Sequence, residues 1–388
     1  PFPACSGSCA VRWVRGPACV AALIEAQAPG KLVIVGEYAV LEGAPGLAVA
    51  VDVRAEARIR SVPGSGNQLL IPDTGESFRF RWVPGSGPRW EGVSPGAFGL
   101  PLEACTEILA ARGLLPPATE LPACQIELIT TAFHQTGPDG HRVKLGLGSS
   151  AAIVVALTGA MLRFTGGPAL PRQVLIAICH EAHRRLQGGV GSGIDVATAI
   201  TGGTVAIDFS RQPGSGVSVP QAHPVSWPRR LDLAAVWSGE SASTPVMLGR
   251  LRAFRERDPT RFASHMERLG ANACQAVVAW SADDAPGVLG AIAGYESGLR
   301  QLDEAAGIGI FSPVHERLRS IAVKHGAVYK PSGAGGGDFG IALTDSRTVD
   351  QAVRAAYAAA GFQVLDAELC APGLTVRGDT PRARLLQG

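Results

Sequence analysis

The stretch Lys144-Leu145-Gly146-Leu147-Gly148-Ser149-Ser150-Ala151-Ala152 leads into a run, Ser149 to Leu162, that is small or apolar on every side. Such a run reads as a buried helix, and serines at its start suit an N-cap. The first turn of a helix presents N–H groups without intrahelical partners at the positive end of its dipole, and the preceding glycines let an anion approach them closely. The loop is therefore expected to hold phosphate through Lys144, Gly146, Leu147, Gly148, Ser149, Ser150, Ala151 and Ala152. Ser149 and Ser150 also carry hydroxyl oxygens of the kind that Mg²⁺ takes beside substrate phosphates. A glycine turn that only caps a packed helix is the structural alternative.

Two familiar nucleotide motifs fit this loop poorly. It lacks the Gly-Lys-Ser/Thr ending of a P-loop. It does match Gly-x-Gly-x-x-Ala, but no Asp or Glu occurs between Asp139 and Glu181 to meet a ribose, which weighs against a dinucleotide fold.

Three further segments lie outward from the loop. Ala28-Pro29-Gly30-Lys31 precedes Gly36-Glu37-Tyr38-Ala39-Val40, and Lys31 enters an otherwise apolar strand. A lone ammonium there is costly unless it is paired or serves a site; a strand-end lysine at the surface is the plain alternative. Gln187-Gly188-Gly189-Val190-Gly191-Ser192-Gly193-Ile194-Asp195-Val196-Ala197 puts Asp195 at the start of a small-residue helix, either as an N-cap or, with four glycines nearby, where backbone closely approaches a ligand. Lys330-Pro331-Ser332-Gly333-Ala334-Gly335-Gly336-Gly337-Asp338 reads as an anion-binding concavity of backbone N–H groups or as a long hairpin turn. Of 35 basic residues only Lys31, Lys144, Lys324 and Lys330 are lysine. Three of the four stand in or beside these segments, where a compact ammonium approaches phosphate as a point charge.

The whole chain, 388 residues with 46% hydrophobic and 18% charged, can bury a large core and suggests two domains. A net charge of +2 gives no broad footprint for nucleic acid or an anionic membrane, so neither is expected as a partner. The longest apolar run is too short for a bilayer. Eight scattered cysteines without a Cys-x-x-Cys pair suggest a reducing, cytoplasmic setting, and residues 1–25 show no clear secretory core and read as an extension. Pro-Gly-Ser-Gly at Pro63, Pro84 and Pro213 is turn chemistry, not a repeat architecture. The Pro, Gly and Ser content of Gln212 to Trp227 marks a boundary between one domain over 26–225 and a mixed α and β domain over 226–388, in which Gln363 to Leu369 is expected as a closing strand. Cys179, His180 and His183 share a helix, Gln173 to Leu186, and read as packing, not a metal site. No Gly-x-Ser-x-Gly elbow points to Ser-His-Asp hydrolysis.

In their order and spacing, the Lys31 segment, the Gly146–Ala152 loop and the Ser332–Asp338 loop resemble the three signature motifs of the GHMP kinases, the family of galactokinase, homoserine kinase, mevalonate kinase and phosphomevalonate kinase. The resemblance implies an α+β two-domain fold with a left-handed β-α-β unit in the N-terminal domain, a ferredoxin-like C-terminal domain, and ATP with Mg²⁺ in the cleft between them. The phosphomevalonate kinase branch is the most similar: Gly36-Glu37-Tyr38-Ala39-Val40-Leu41 carries Tyr where mevalonate kinases carry His, and the Gln187–Ala197 and Lys330–Gly340 segments agree. This implies ATP-dependent phosphorylation of 5-phosphomevalonate to 5-diphosphomevalonate on the mevalonate route to isoprenoids, by a monomer or homodimer. By the same resemblance Asp195 and Lys31 are catalytic, and Tyr38, Ser192, Ser332, Gly333, Ala334 and Gly335 surround the acceptor. One departure stands out: where mevalonate kinases place a Mg²⁺-binding Glu, this chain reads His183-Arg184-Arg185-Leu186. Rival readings are mevalonate kinase or another small-alcohol kinase, diphosphomevalonate decarboxylase, and a non-catalytic sensor, the last opposed by the presence of both Lys31 and Asp195. A phosphate monoester, with a second pKa of about 6, is already ionised at neutral pH, so Asp195 is expected to orient Lys31 and the acceptor instead of removing a proton.

Overall fold

The computed structural model describes residues 23–64, 66–84, 87–136, 142–211 and 218–378. The expected extension, up to residue 22, and the first part of the expected linker, 212–217, lie outside the described residues. Two long β-branched and apolar segments form β1 (Leu23–Val35) and β2 (Gly46–Ser61), paired antiparallel from Leu23 opposite Arg60 to Val35 opposite Leu47. Pro29 has no N–H to give the ladder, and the register shifts between Pro29 and Gly30. Just past this irregularity the Lys31 N–H donates to Leu147 O at 2.9 Å, which ties the lysine strand to the glycine loop.

The first half continues with β3 (Asn67–Ile71), β4 (Glu76–Val83), β5 (Gly87–Glu91), α1 (Leu100–Ala111), β6 (Cys124–Ile129) and the small hairpin β7 (His134–Thr136) and β8 (Arg142–Lys144). Three helices follow, α2 (Ser149–Phe164), α3 (Arg172–Leu186) and α4 (Ile194–Thr201), then β9 (Thr204–Arg211) and β10 (Ser218–Val225). The main sheet runs β10-β9-β2-β6-β3-β4-β5, with β1 along the other edge of β2. All its pairings are antiparallel except β3 with β6. Helix α2 is apolar all round because it is buried all round, packed on β1 and β2 and against the other three helices of this half.

The second half comprises β11 (Asp232–Trp237), α5 (Thr244–Arg257), α6 (Pro259–Ser281), α7 (Ala285–Ala306), α8 (Pro313–Lys324), β12 (Val328–Ser332), β13 (Phe339–Thr344), α9 (Arg347–Ala359) and β14 (Gln363–Val364). Its antiparallel sheet has the order β12-β13-β11-β14, and the βαββαβ succession gives the expected ferredoxin-like arrangement. The expected closing strand is shorter than its composition suggested. After Leu365 N bonds Ala235 O the chain leaves this sheet, and Leu369 bridges Val51 in the other one. Then β15 (Thr375–Arg377) pairs with β1, so the last described residues return to the first sheet and a single boundary near 226 does not describe the end of the chain. One apolar cluster runs through both halves, and a smaller one lies under α8 and α9. Among the described residues no helix is long and apolar enough to cross a membrane.

Candidate active site

The glycine loop meets α2 at Gly148, whose φ of 86° makes it the N-cap, so the helix begins at Ser149 and neither serine caps it as expected. A left-handed turn at this point, preceded by another at Gly146 with φ 71°, lets the chain present the first helical amides to the cleft. Those amides belong to Ser149, Ser150 and Ala151. The Ala152 N–H already bonds Gly148 O at 3.1 Å and is not free for a ligand. The side chains of Leu147, Ala151 and Ala152 are buried in the core, so these residues can serve a ligand only through backbone.

A cleft of about 490 Å³ opens in front of this helix start, lined by Lys31, Lys144, Gly146, Gly148, Ser150 and Asp195. Tyr38, Ser192, Gly333 and Ala334 line it too, together with Asp338 and the beginning of α5 at Thr244 and Pro245. Lys31 and Asp195 flank Gly148: a Cβ there would lie 3.5 Å from Lys31 Cγ and 3.6 Å from Asp195 Cβ. The Lys31 ammonium donates to Gly146 O at 3.5 Å. The Lys144 ammonium is withdrawn from water by the surrounding protein, which with Lys31 nearby lowers its pKa, against the pull of Asp338 and Asp195.

Asp195 is not an N-cap. Gly193, with φ 80°, holds that position, and Asp195 is the second residue of α4, its Oδ1 accepting from Val196 N at 2.9 Å. Its nearest ionisable partner is His183, with Nδ1 3.7 Å from Asp195 Oδ2, and among the described residues no ion pair joins Asp195 to Lys31. The other face of the buried His183 ring puts Nε2 3.0 Å from Ser150 Oγ. Asp195, His183 and Ser150 thus form one chain of polar contacts, of which the sequence reading missed the middle member. Its available signal was a histidine on the buried face of an otherwise apolar helix side, in the place of an expected carboxylate. Cys179 is packed in the core, His180 Nε2 lies 3.4 Å from Gly191 O, and no metal-ligating group of three or more His, Cys, Asp or Glu occurs among the described residues. Of the two serines expected to meet Mg²⁺, Ser150 lines the cleft and Ser149 is buried. The Ser150 hydroxyl and the Asp195 carboxylate are oxygen donors facing one space, a set that fits Mg²⁺ beside phosphate.

Of the residues expected around the acceptor, Tyr38 stands at φ 63°, a conformation rare for a side chain of its size, and its hydroxyl donates to Ala334 O. Burial, then the Asp303 and Glu37 carboxylates, raise its pKa, which keeps it a phenol and a donor. Ser332 does not reach the cleft: its hydroxyl accepts from Val33 N and donates to Val33 O, both at 2.9 Å, pinning β12 to β1. Gly335 is likewise turned away, packed so closely on Ile310 that a Cβ would meet its Cγ2 and O at 2.7 Å. Lys330 is sealed against Glu37 and touches no phosphate site, contrary to the expectation drawn from the scarcity of lysine. Arg184 donates to Gly189 O and braces the glycine turn. A second cavity of about 400 Å³, lined by Asp52, Leu145, Trp237 and Phe339 among others, adjoins the loop at Leu145, and Trp237 Nε1 is buried without a hydrogen-bond partner among the described residues.

Comparison with known proteins agrees with this architecture. The family model for the GHMP kinases N terminal domain matches residues 117–203, and that for GHMP kinases C terminal matches residues 288–361. A phosphomevalonate kinase from Streptomyces sp. (strain CL190) is 29% identical over 348 residues, covering 82% of this chain and 89% of that protein. A mevalonate kinase from Thermococcus sibiricus is 26% identical over 234 residues, 60% of this chain and 63% of that protein. The structure of Streptococcus pneumoniae phosphomevalonate kinase in complex with phosphomevalonate and AMPPNP superposes with a TM-score of 0.69 at 20% identity, covering 89% of this chain and 99% of that one. With both halves of the fold matched and the three glycine segments gathered around one cleft, the chain carries the N- and C-terminal domains of the GHMP kinases.

Proposed function

We propose that this protein transfers the γ-phosphoryl group of ATP to the phosphate of 5-phosphomevalonate, forming 5-diphosphomevalonate and ADP. The observation that carries the reading is the single cleft in which Lys31, the Gly146–Ser150 loop, Asp195, Tyr38 and the Gly333–Ala334 backbone meet from distant parts of the chain. The choice of acceptor is supported by the streptomycete relative, a phosphomevalonate kinase matched over 89% of its length.

In this reading an acceptor phosphate oxygen forms a bond to the γ-phosphorus while the bond from that phosphorus to the bridging β–γ oxygen breaks, and the electron pair leaves with ADP. Phosphoryl transfer of this kind depends on positioning and on neutralising charge. The amides of Ser149, Ser150 and Ala151 hold phosphate oxygens at the positive end of α2, and Lys31 and Lys144 supply compact positive charge at the same place. Mg²⁺, which Ser150 and Asp195 would hold, supplies further neutralisation when bound. Tyr38, Ser192 and the Gly333–Ala334 backbone bound the acceptor. We assign the base end of the nucleotide to the cavity beside Leu145, where the unpartnered Trp237 N–H offers a donor and Phe339 an apolar wall. A coupled assay of ADP release tests the acceptor: ADP formed with 5-phosphomevalonate and not with mevalonate is the expected result. Preference for mevalonate establishes the small-alcohol kinase instead, and carbon dioxide release from 5-diphosphomevalonate establishes the decarboxylase.

A further inference from the structure

Asp338 ends the run Gly335-Gly336-Gly337 at φ 56°, in the left-handed region that a fourth glycine would occupy without strain. The strained residue is held firmly. Its N–H donates to Glu240 O at 2.7 Å, its C=O accepts from Ser238 N at 2.8 Å, and Ala242 N donates to its Oδ1 at 3.3 Å. The side chain presses on the first glycine of the phosphate loop: a Cβ at Gly146 would stand 2.1 Å from Asp338 Cγ. It also faces the cleft that holds Lys31 and Lys144, and both ammoniums act on its ionisation while burial pushes its pKa upward. The phosphoryl transfer described above assigns this carboxylate no task. A fixed anion beside the loop repels the phosphates that the loop is built to receive.

We propose that the Asp338 carboxylate is an internal stand-in for phosphate: in the free protein it adds to Asp195 a second anion for Lys31 and Lys144, the one set against the Gly146 end of the loop, and an entering nucleotide must compete with it. This rests on the reading of the cleft as a nucleotide triphosphate site. It gives the strained backbone a reason, since only a rigidly held carboxylate stays at the loop while solvent counter-ions exchange. A magnesium ligand or a ribose contact at the same position would have the opposite effect on affinity, because its removal weakens binding.

The test is calorimetric titration of ATP, in EDTA and at fixed ionic strength, into the wild-type chain, Asp338→Asn and Asp338→Gly. Both replacements tolerate the left-handed backbone, and Asn keeps an acceptor for Ala242 N, so a gain common to the two comes from the lost charge and not from relieved strain. The expected result is ATP binding tightened by about tenfold in both variants, as removal of one charge near a polyanion implies, with adenosine affinity unchanged. Unchanged or weakened ATP binding in the variants, with wild type binding ATP normally, overturns the proposal alone. A parallel gain for adenosine also overturns it, because adenosine carries no phosphate to compete. Wild type that takes up neither ATP nor MgATP overturns the nucleotide reading and this proposal with it.

Discussion

Lys330 Nζ lies 2.5 Å from Glu37 Oε1, across 293 residues of sequence, and neither side chain is more than 3% exposed. The same Oε1 accepts from Gly333 N at 3.1 Å, and Lys330 also donates to Pro331 O at 2.7 Å. One buried carboxylate therefore fastens the Gly36–Tyr38 turn of the first half to the Gly333 loop of the second, both of which line the cleft. Burial lowers the pKa of Lys330 and the Glu37 carboxylate counters it, so the ammonium depends on its partner.

Breaking one side of such a pair leaves a buried charge without its counter-ion, a loss of about 3–5 kcal/mol. Lys330→Met and Glu37→Gln should each show it in urea unfolding. The double variant, in which no charge is stranded, should recover more than half of the loss. Additive losses in the double variant would show that the two groups are not coupled.

His315 makes a second prediction. It is fully buried, with Nε2 2.8 Å from Gly337 O and Nδ1 2.7 Å from Tyr329 OH. A carbonyl can only accept, so Nε2 carries the proton and Nδ1 accepts from the tyrosine. Burial drives the pKa down from 6.5 to about 4. Between those values the unfolded chain binds a proton that the folded one refuses, so stability falls as pH drops through this window, by about 3 kcal/mol in all. His315→Gln should flatten the stability profile between pH 6.5 and 4 relative to wild type; an unchanged slope would assign the proton uptake elsewhere.

Ser332 separates a structural role from a substrate contact. Its hydroxyl serves both backbone groups of Val33. Ser332→Ala strands them and should cost about 2 kcal/mol in unfolding free energy. KM for the acceptor should stay within about twofold of wild type, far below the tenfold that 1.4 kcal/mol of lost binding gives. A raised KM without lost stability would return Ser332 to the acceptor site.

These cases mark what local pattern conveys and what it does not. The Ser149–Phe164 helix and the glycine segments were legible because small apolar runs and glycine clusters carry their meaning within a dozen residues. The partners of Lys330 and Ser332 were not, since each lies roughly 300 residues away and is chosen by the packing of β12 on β1. Glycine-rich composition marked the Ser332–Gly335 loop as a whole, yet only contact with Val33 and Ile310 tells which of its members turn away from the cleft. His183 stayed hidden because its neighbours Ser150 and Asp195 come from different helices. The return of Thr375–Arg377 to β1 has no local signal either, as three exposed or half-exposed residues carry little alternation.

The last prediction concerns the proton. If the acceptor is a phosphate monoester, its attacking oxygen is ionised above a pH of about 6 and no base is needed. Asp195 bonds Val196 N and faces His183, which in turn faces Ser150, and in the proposed reaction its duty is positioning. Asp195→Asn keeps the shape and an acceptor oxygen, whereas Lys31→Met removes a cation beside Gly146 O, at the mouth of the phosphate loop. Turnover at pH 7 should therefore fall by about 10²–10³ in Lys31→Met, the scale of losing one electrostatic contact to the transferring group, and by less in Asp195→Asn. Wild-type kcat/KM should rise with pH to a plateau just above 6, with the same midpoint in Asp195→Asn, because that midpoint belongs to the acceptor. If the Asn variant retains no more activity than the Met variant, or its pH midpoint moves away from the wild-type value, Asp195 removes a proton and the acceptor group is an alcohol.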